Sequence, residues 1–273
     1  MLNVNGVPQK RYNIFLSNNI TTMEKEKENF APNGIVIDIP TKVIRVLEKL
    51  RDGQTVNNKR LTGKEMNLVG LCNWYGHIVP LNYVEAVKWY KASAEKRCSR
   101  AEHNLFICYS QGTGVSSNME NALYWLKKSA KHNEAAAQEF LGEYYYDGEY
   151  VKKNRRYAKI WFEKTINNAF KSEDAIILND LGSKYYQGEY GFPKDKSMAI
   201  KCWEKAAEKG FHLSIAWLLI IYIDDYCIEK VEFWKEKYNN CIKKDPKMTK
   251  VLMERYKKMM ELHEKNELIW FKT

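Results

Sequence analysis

Residues 137–148 read AQEFLGEYYYDG, and ten positions further on 158–165 read AKIWFEKT. Leu141 and Tyr145 stand i, i+4 and mark one stripe of a helix. Gly148 stands where a left-handed residue ends a helix without a Cβ clash. Asn154, four residues before Ala158, is a side chain that accepts a hydrogen bond from the free N–H groups at a helix start. The arrangement recurs: 101–112 read AEHNLFICYSQG with ALYWLKKSA at 122–130, and 177–188 read ILNDLGSKYYQG with AIKCWEKAA at 199–207. Trp89, Trp125 and Trp161 are spaced by 36 and 36, and a fixed period of this size marks a repeat architecture. Ala86, Ala122, Ala158 and Ala199 each stand three before that site, where Cys202 replaces the tryptophan in the last copy and Trp203 follows it. Asn82, Asn118, Asn154 and Asp195 stand four before those alanines. Each unit is therefore helix A, a glycine turn, then helix B.

Working outward, the i, i+4 pairs are Leu71/Tyr75, Leu105/Tyr109, Leu141/Tyr145, Leu181/Tyr185 and Leu218/Tyr222. Residues 67–97 fit less closely, the turn Gly76–Leu81 reading as short. The third-to-fourth interval lengthens around Phe170–Asp174. The fifth copy lacks its turn glycine, and its second helix is predicted over Glu229–Cys241. Four segments result: an irregular lead-in over 1–38, a partial repeat or cap over 39–63, the repeats over 64–245, and an amphipathic helix over 246–273. In the second, Pro40–Asp52 places Val43, Val46, Leu47 and Leu50 on one face. In the last, Asp245-Pro246 reads as a cap and proline at the first helical position, and Met248, Leu252, Tyr256, Met259, Met260 and His263 share a face. A polar cover over the final repeat is expected of it, with a methionine-rich docking surface as the alternative.

The pattern A-x-x-x-L-G-x-x-Y-x-x-G, a short turn, then A-x-x-W-Y/F-x-K-A-A resembles the Sel1-like repeat, a relative of the tetratricopeptide repeat. The resemblance covers roughly residues 64–245. It implies an all-α fold, a right-handed superhelical α-solenoid of four to five helix-turn-helix repeats in which neighbouring units bury each other's apolar faces. It also implies a non-catalytic adaptor or scaffold, or an inhibitor or immunity protein that occludes its partner. Stacking makes the repeat tryptophans and tyrosines core, so loss of Trp125 is expected to cost roughly 3–5 kcal/mol. The disulfide-stapled secreted branch of the family is not implied, because Cys72, Cys98, Cys108, Cys202, Cys227 and Cys241 do not recur at one register.

Composition narrows the function. The 273 residues carry 44 Lys and Arg against 34 Asp and Glu, net +10, with 45% hydrophobic residues, which excludes a disordered or fibrous chain and favours a partner of acidic surface. Six cysteines without a C-x-x-C pair read as reduced thiols of a cytoplasmic protein. The first thirty residues show no long apolar core, and the run Ile215–Tyr222 is too short to span a bilayer, so no membrane association is expected. No G-x-S-x-G, H-E-x-x-H, Walker or Rossmann pattern is present, and no enzyme activity or cofactor is expected. Cys72/His77 and His103/Cys108 could suit zinc, but both pairs are i, i+5, about 140° apart on a helix, so no metal is expected.

Helical-wheel angles place positions 2, 6 and 9 after the first stripe residue opposite the packing stripe. With A helices lining the concave side, the expected partner surface is Asn73, His103, Ile107, Ser110, Glu139, Glu143, Tyr146, Asn179, Ser183 and Tyr186. Reversing Glu139 and Glu143 to Lys should then abolish partner capture without loss of helicity. This mixed surface suits a peptide or protein edge better than a phosphate backbone, which needs a row of cations. A second candidate is the basic turn Lys152, Lys153, Arg155 and Arg156, which puts two arginines in the first turn of a helix, where the dipole disfavours them. Nucleic-acid or anionic-ligand binding through such turns is the alternative function.

Overall fold

Asn82, Asn118, Asn154 and Asp195 each accept a hydrogen bond from the backbone N–H three residues on, at 2.9–3.0 Å, so all four predicted N-caps form. The computed structural model of the protein describes residues 39–240, 250 and 252–261. The predicted lead-in over 1–38, Cys241, the Asp245-Pro246 helix start with Met248, and residues from 262 onward, including His263, lie outside the described residues. After α1 (Thr41–Arg51) and a 3-10 turn (Asn58–Arg60) come five helix pairs: α2 (Gly63–Tyr75) with α3 (Tyr83–Glu95), α4 (Ser99–Gln111) with α5 (Met119–Lys131), α6 (Ala135–Asp147) with α7 (Arg155–Ser172), α8 (Ala175–Gln187) with α9 (Lys196–Glu208), and α10 (His212–Asp224) with α11 (Ile228–Asn239). Residues 252–261 are again helical, and no strand occurs among the described residues. Two compact units divide the chain after Ser172: the first three pairs with α1, and the last two pairs with the helical residues 252–261.

The A-to-B turns explain the period. Gly76, Gly112, Gly148 and Gly188 each end an A helix in the left-handed conformation, with φ between 69° and 80°. The N–H of the following cap residue then reaches back to the A helix: Asn82 to the Asn73 carbonyl, Asn118 to Tyr109, Asn154 to Tyr145 and Asp195 to Tyr185, at 2.7–2.9 Å. These bonds correct the register of the first unit. Its turn is as long as those of the second and third, and the residues equivalent to Leu105 and Tyr109 are Val69 and Asn73, not Leu71 and Tyr75. The error has a physical source: α2 is buried around most of its circumference, so two i, i+4 stripes fit it equally well.

Inside each pair the helices approach over a size exchange. A Cβ on Gly70 would lie 2.5 Å from the Tyr90 ring, on Gly142 2.7 Å from Phe162, and on Gly182 2.4 Å from Trp203. In the second pair the A helix carries Phe106 at that position, and the facing B-helix residue is the smaller Leu126, both fully buried. Side-chain ties repeat as well. Ser93 Oγ donates to the Gly63 carbonyl at 2.6 Å and Ser129 Oγ to the Ser99 carbonyl at 2.7 Å. One register along the stack, His132 Nδ1 lies 2.6 Å from Glu102 Oε2, and Asn168 donates to Gln138 at 2.8 Å. All four ties join residues thirty apart, so each fixes one B helix on its own A helix.

Burial corrects the expectation for the aromatics. Leu105, Leu141, Leu181 and Leu218 are buried as expected, but Trp125 and Trp161 are only half-buried, while Tyr90, Leu126, Phe162 and Trp203, the next B-helix register, are buried fully or nearly so. The B helices turn that next register inward onto the A helix, and the tryptophan lies at the margin of the contact. The fifth pair ends its A helix on Asp225 without a glycine, and Trp234 of α11 is buried while Phe233 is exposed. At the first pair, Val43 and Leu47 of α1 are buried with Met66, Val69, Cys72 and Trp89.

Candidate interaction surface

Most of the expected concave residues are not on a surface. Val69 and Asn73 occupy the packing register, and Asn73 Nδ2 donates to the Val69 carbonyl at 2.9 Å. His103 is buried, with ring centroids 5.8 and 5.9 Å from those of Phe106 and Phe140. Ile107 is 1% exposed, and the Ser110 hydroxyl turns back to the Ile107 carbonyl at 3.0 Å. Glu139 and Glu143 are 2% and 8% exposed. The expectation that Asn73, His103, Ile107, Ser110, Glu139 and Glu143 face a partner is therefore corrected, and reversal of Glu139 and Glu143 would strike packed positions. The reason is geometric: within the first unit an A helix is covered on one side by its own B helix and on another by the helices of the neighbouring repeat. Asn104 of α4 shows the second contact, donating to Asn67 of α2 at 2.9 Å from a buried position.

Burial also sets the chemistry of these residues. Desolvation, helped by the Arg100 charge, pushes the His103 imidazole down to about 3, and burial lifts the thiols of Cys72, Cys108 and Cys202 to about 12. A buried neutral histidine and protonated thiols are packing groups, not bases or nucleophiles.

Tyr146, Asn179, Ser183 and Tyr186 remain half-exposed. Asn179 accepts from Ser214 Oγ at 2.9 Å and, through its carbonyl, from Trp203 Nε1 at 3.1 Å, while Ser183 donates to the Asn179 carbonyl. Tyr186 lies beside Trp203 and Trp217, with centroids 5.7 and 6.4 Å away. These three are tied into the packing of the second unit. Tyr146 is different, because the Arg155 guanidinium lies 5.3 Å over its ring. This contact joins one predicted concave residue to the predicted basic turn. Lys152, Lys153, Arg155 and Arg156 are all exposed, and none forms an ion pair among the described residues.

A surface not anticipated from the sequence lies on the B helices of the first unit. Tyr124 is 56% exposed, Tyr157 52% and Ile160 38%. Lys128 Nζ lies 4.7 Å over the Trp125 ring and Lys164 Nζ 4.4 Å over Trp161. Its signal in the sequence is W-x-x-K at the same register in two repeats, hidden because a tryptophan at a fixed repeat position reads as core.

Together, repeated helix pairs closed by glycine turns and stacked through their A helices define an α-solenoid. The chain belongs to the Sel1 repeat family: the model for the Sel1 repeat matches residues 66–98, 99–134, 135–169 and 178–211, just over half of the chain. Its fold is similar to that of a Sel1 repeat protein from Oxalobacter formigenes, at 24% identity and a TM-score of 0.56 over 75% of this chain and 85% of that one. A second similar structure is c5321, a protective antigen of uropathogenic Escherichia coli strains displaying an SLR fold, at 20% identity and a TM-score of 0.49 over 72% of this chain and 45% of that one. Among curated proteins none matches the chain. Sel1 repeats are in general protein-interaction modules without catalytic activity. No described helix is long and apolar enough to cross a membrane.

Proposed function

We propose that this chain is a cytoplasmic, non-catalytic module that holds an acidic protein, acting as an adaptor or scaffold, or as an inhibitor or immunity protein that occludes its partner. The observation that carries this reading is the exposed basic turn 152–156, whose four cations have no carboxylate partner among the described residues and whose Arg155 is braced on Tyr146. Unpaired cations at the start of α7 add to the positive end of the helix dipole and draw carboxylates. Family membership supports a protein as the ligand.

The test is a pull-down with the tagged chain from nuclease-treated lysate, beside a variant with Lys152, Lys153, Arg155 and Arg156 changed to Glu. A stoichiometric protein captured by the natural chain, and lost or weakened in the variant at unchanged helicity, is the expected result. Recovery of nucleic acid alone when nuclease is omitted would replace this reading with the anionic-ligand one.

A further inference from the structure

The buried A helices leave the B helices as the face of the first unit on which chemistry is displayed. The 36-residue period puts Tyr124 and Ile160, Trp125 and Trp161, and Lys128 and Lys164 at equivalent positions of α5 and α7. The row is confined to these two helices, since Trp89, the equivalent residue of α3, is 6% exposed and packs with Val43 and Leu47 of α1. Helices α5 and α7 carry eight Lys and Arg against two Glu. Of those cations Lys127, Lys131, Lys159 and Lys164, like the two arginines of the turn, form no ion pair among the described residues. Lys128 of α5 is paired, with Glu102 at 3.4 Å, and several cations of the second unit are too. There Lys196 pairs with Asp225, Lys205 with Glu173 and Glu208, and Arg255 with Asp224.

We propose that the outer face of α5 and α7 is a docking surface for an acidic polypeptide segment with apolar anchors. This deepens the function proposed above and rests on it, extending the site from the basic turn at the start of α7 across the B-helix face. An excess of cations around exposed aromatic and aliphatic side chains is complementary to carboxylates interleaved with Leu, Met or Phe. A nucleic acid fits less well, because sequence-tolerant single-strand binding stacks bases on open aromatic faces. Here both indoles already carry a lysine of their own helix, and Ile160 offers an aliphatic surface that no base stacks upon.

The full chain is titrated, by fluorescence anisotropy, into a labelled synthetic peptide of about twenty residues with Asp and Glu at most positions and Leu or Phe at helical spacing. The comparison probes are an all-Glu peptide of the same length, the first peptide with Lys for every acid, and an oligo-dT strand. Two variants are compared with the natural chain: Tyr124→Ser with Ile160→Ser, and Lys127→Glu with Lys159→Glu. All four positions are exposed, so circular dichroism and the urea midpoint are expected to stay unchanged. Saturable binding of the acidic apolar peptide, weakened about tenfold by either variant, and weaker binding of the all-Glu peptide, are the expected results. Equal binding by both variants would overturn the proposal, as would tighter binding of the oligonucleotide or no binding of the acidic apolar peptide. The same variants in the pull-down separate the two ideas. A protein captured equally by natural and variant chains would remove this surface and leave the protein-binding function standing, whereas no captured protein would remove both.

Discussion

Two residues one step apart carry different energies. Trp125 is half-buried under Lys128, whereas Leu126 is fully buried against the A helix. Leu126→Ala is expected to cost about 2–5 kcal/mol and Trp125→Ala less than Leu126→Ala, a ranking read directly from urea midpoints. A Cβ on Gly142 would lie 2.7 Å from Phe162. Gly142→Ala should therefore destabilise, and Phe162→Leu in the same chain should recover much of the loss, as Leu126 already does opposite Phe106. A double-mutant cycle without a coupling of at least about 0.5 kcal/mol would contradict that account. His103 gives the pH dependence. Its imidazole titrates near 3 when buried and near 6.5 in an ordinary setting, so between those values the unfolded chain binds a proton that the folded chain does not. Stability is full above pH 6.5 and falls as the pH drops, by up to about 1.4 kcal/mol per unit. Between pH 7 and 5, His103→Gln is expected to lose about 2 kcal/mol less than the natural chain, measured by denaturant unfolding at both pH values.

Single helices are specified mainly at their ends. The side chain of Asn118 accepts from Asn121 N–H, and its own N–H is held by the Tyr109 carbonyl. Asn118→Ala removes only the first bond and is expected to cost about 1 kcal/mol, checked by the shift in midpoint at unchanged slope. These caps were legible because a cap is a local event: one side chain and the N–H three residues on. The same holds for the glycines that close the A helices. The register of α2 was not legible, because nothing local distinguishes Leu71/Tyr75 from Val69/Asn73 when both stripes are buried. The polar ties inside the pairs were invisible for another reason. Glu102 and His132, like Gln138 and Asn168, are ordinary surface residues by type, and only pairing thirty residues apart makes partners of them, with Glu102 and Gln138 buried.

At the scale of the whole molecule, the positive charge is partly paired and partly open. The net +10 includes cations in ion pairs, such as Lys196 and Lys205 of the second unit, and others, on α5, α7 and the turn before α7, that form none among the described residues. Capture of an acidic partner should accordingly weaken with added salt, steeply from 50 to about 300 mM, as screening shortens the reach of those charges; salt-independent capture would point to a site elsewhere. The repeat period, the helix pairs, their caps and closing glycines, and the membership that follows from them were determined by the sequence alone, since each depends on residues within one repeat. Which faces remain open was decided only by the tertiary structure. A wheel drawn on one helix knows its own stripe but not its neighbours. Packing of the A helices buries Glu139, Glu143 and His103, whereas Tyr124, Ile160 and the lysines around Trp125 and Trp161 face outward.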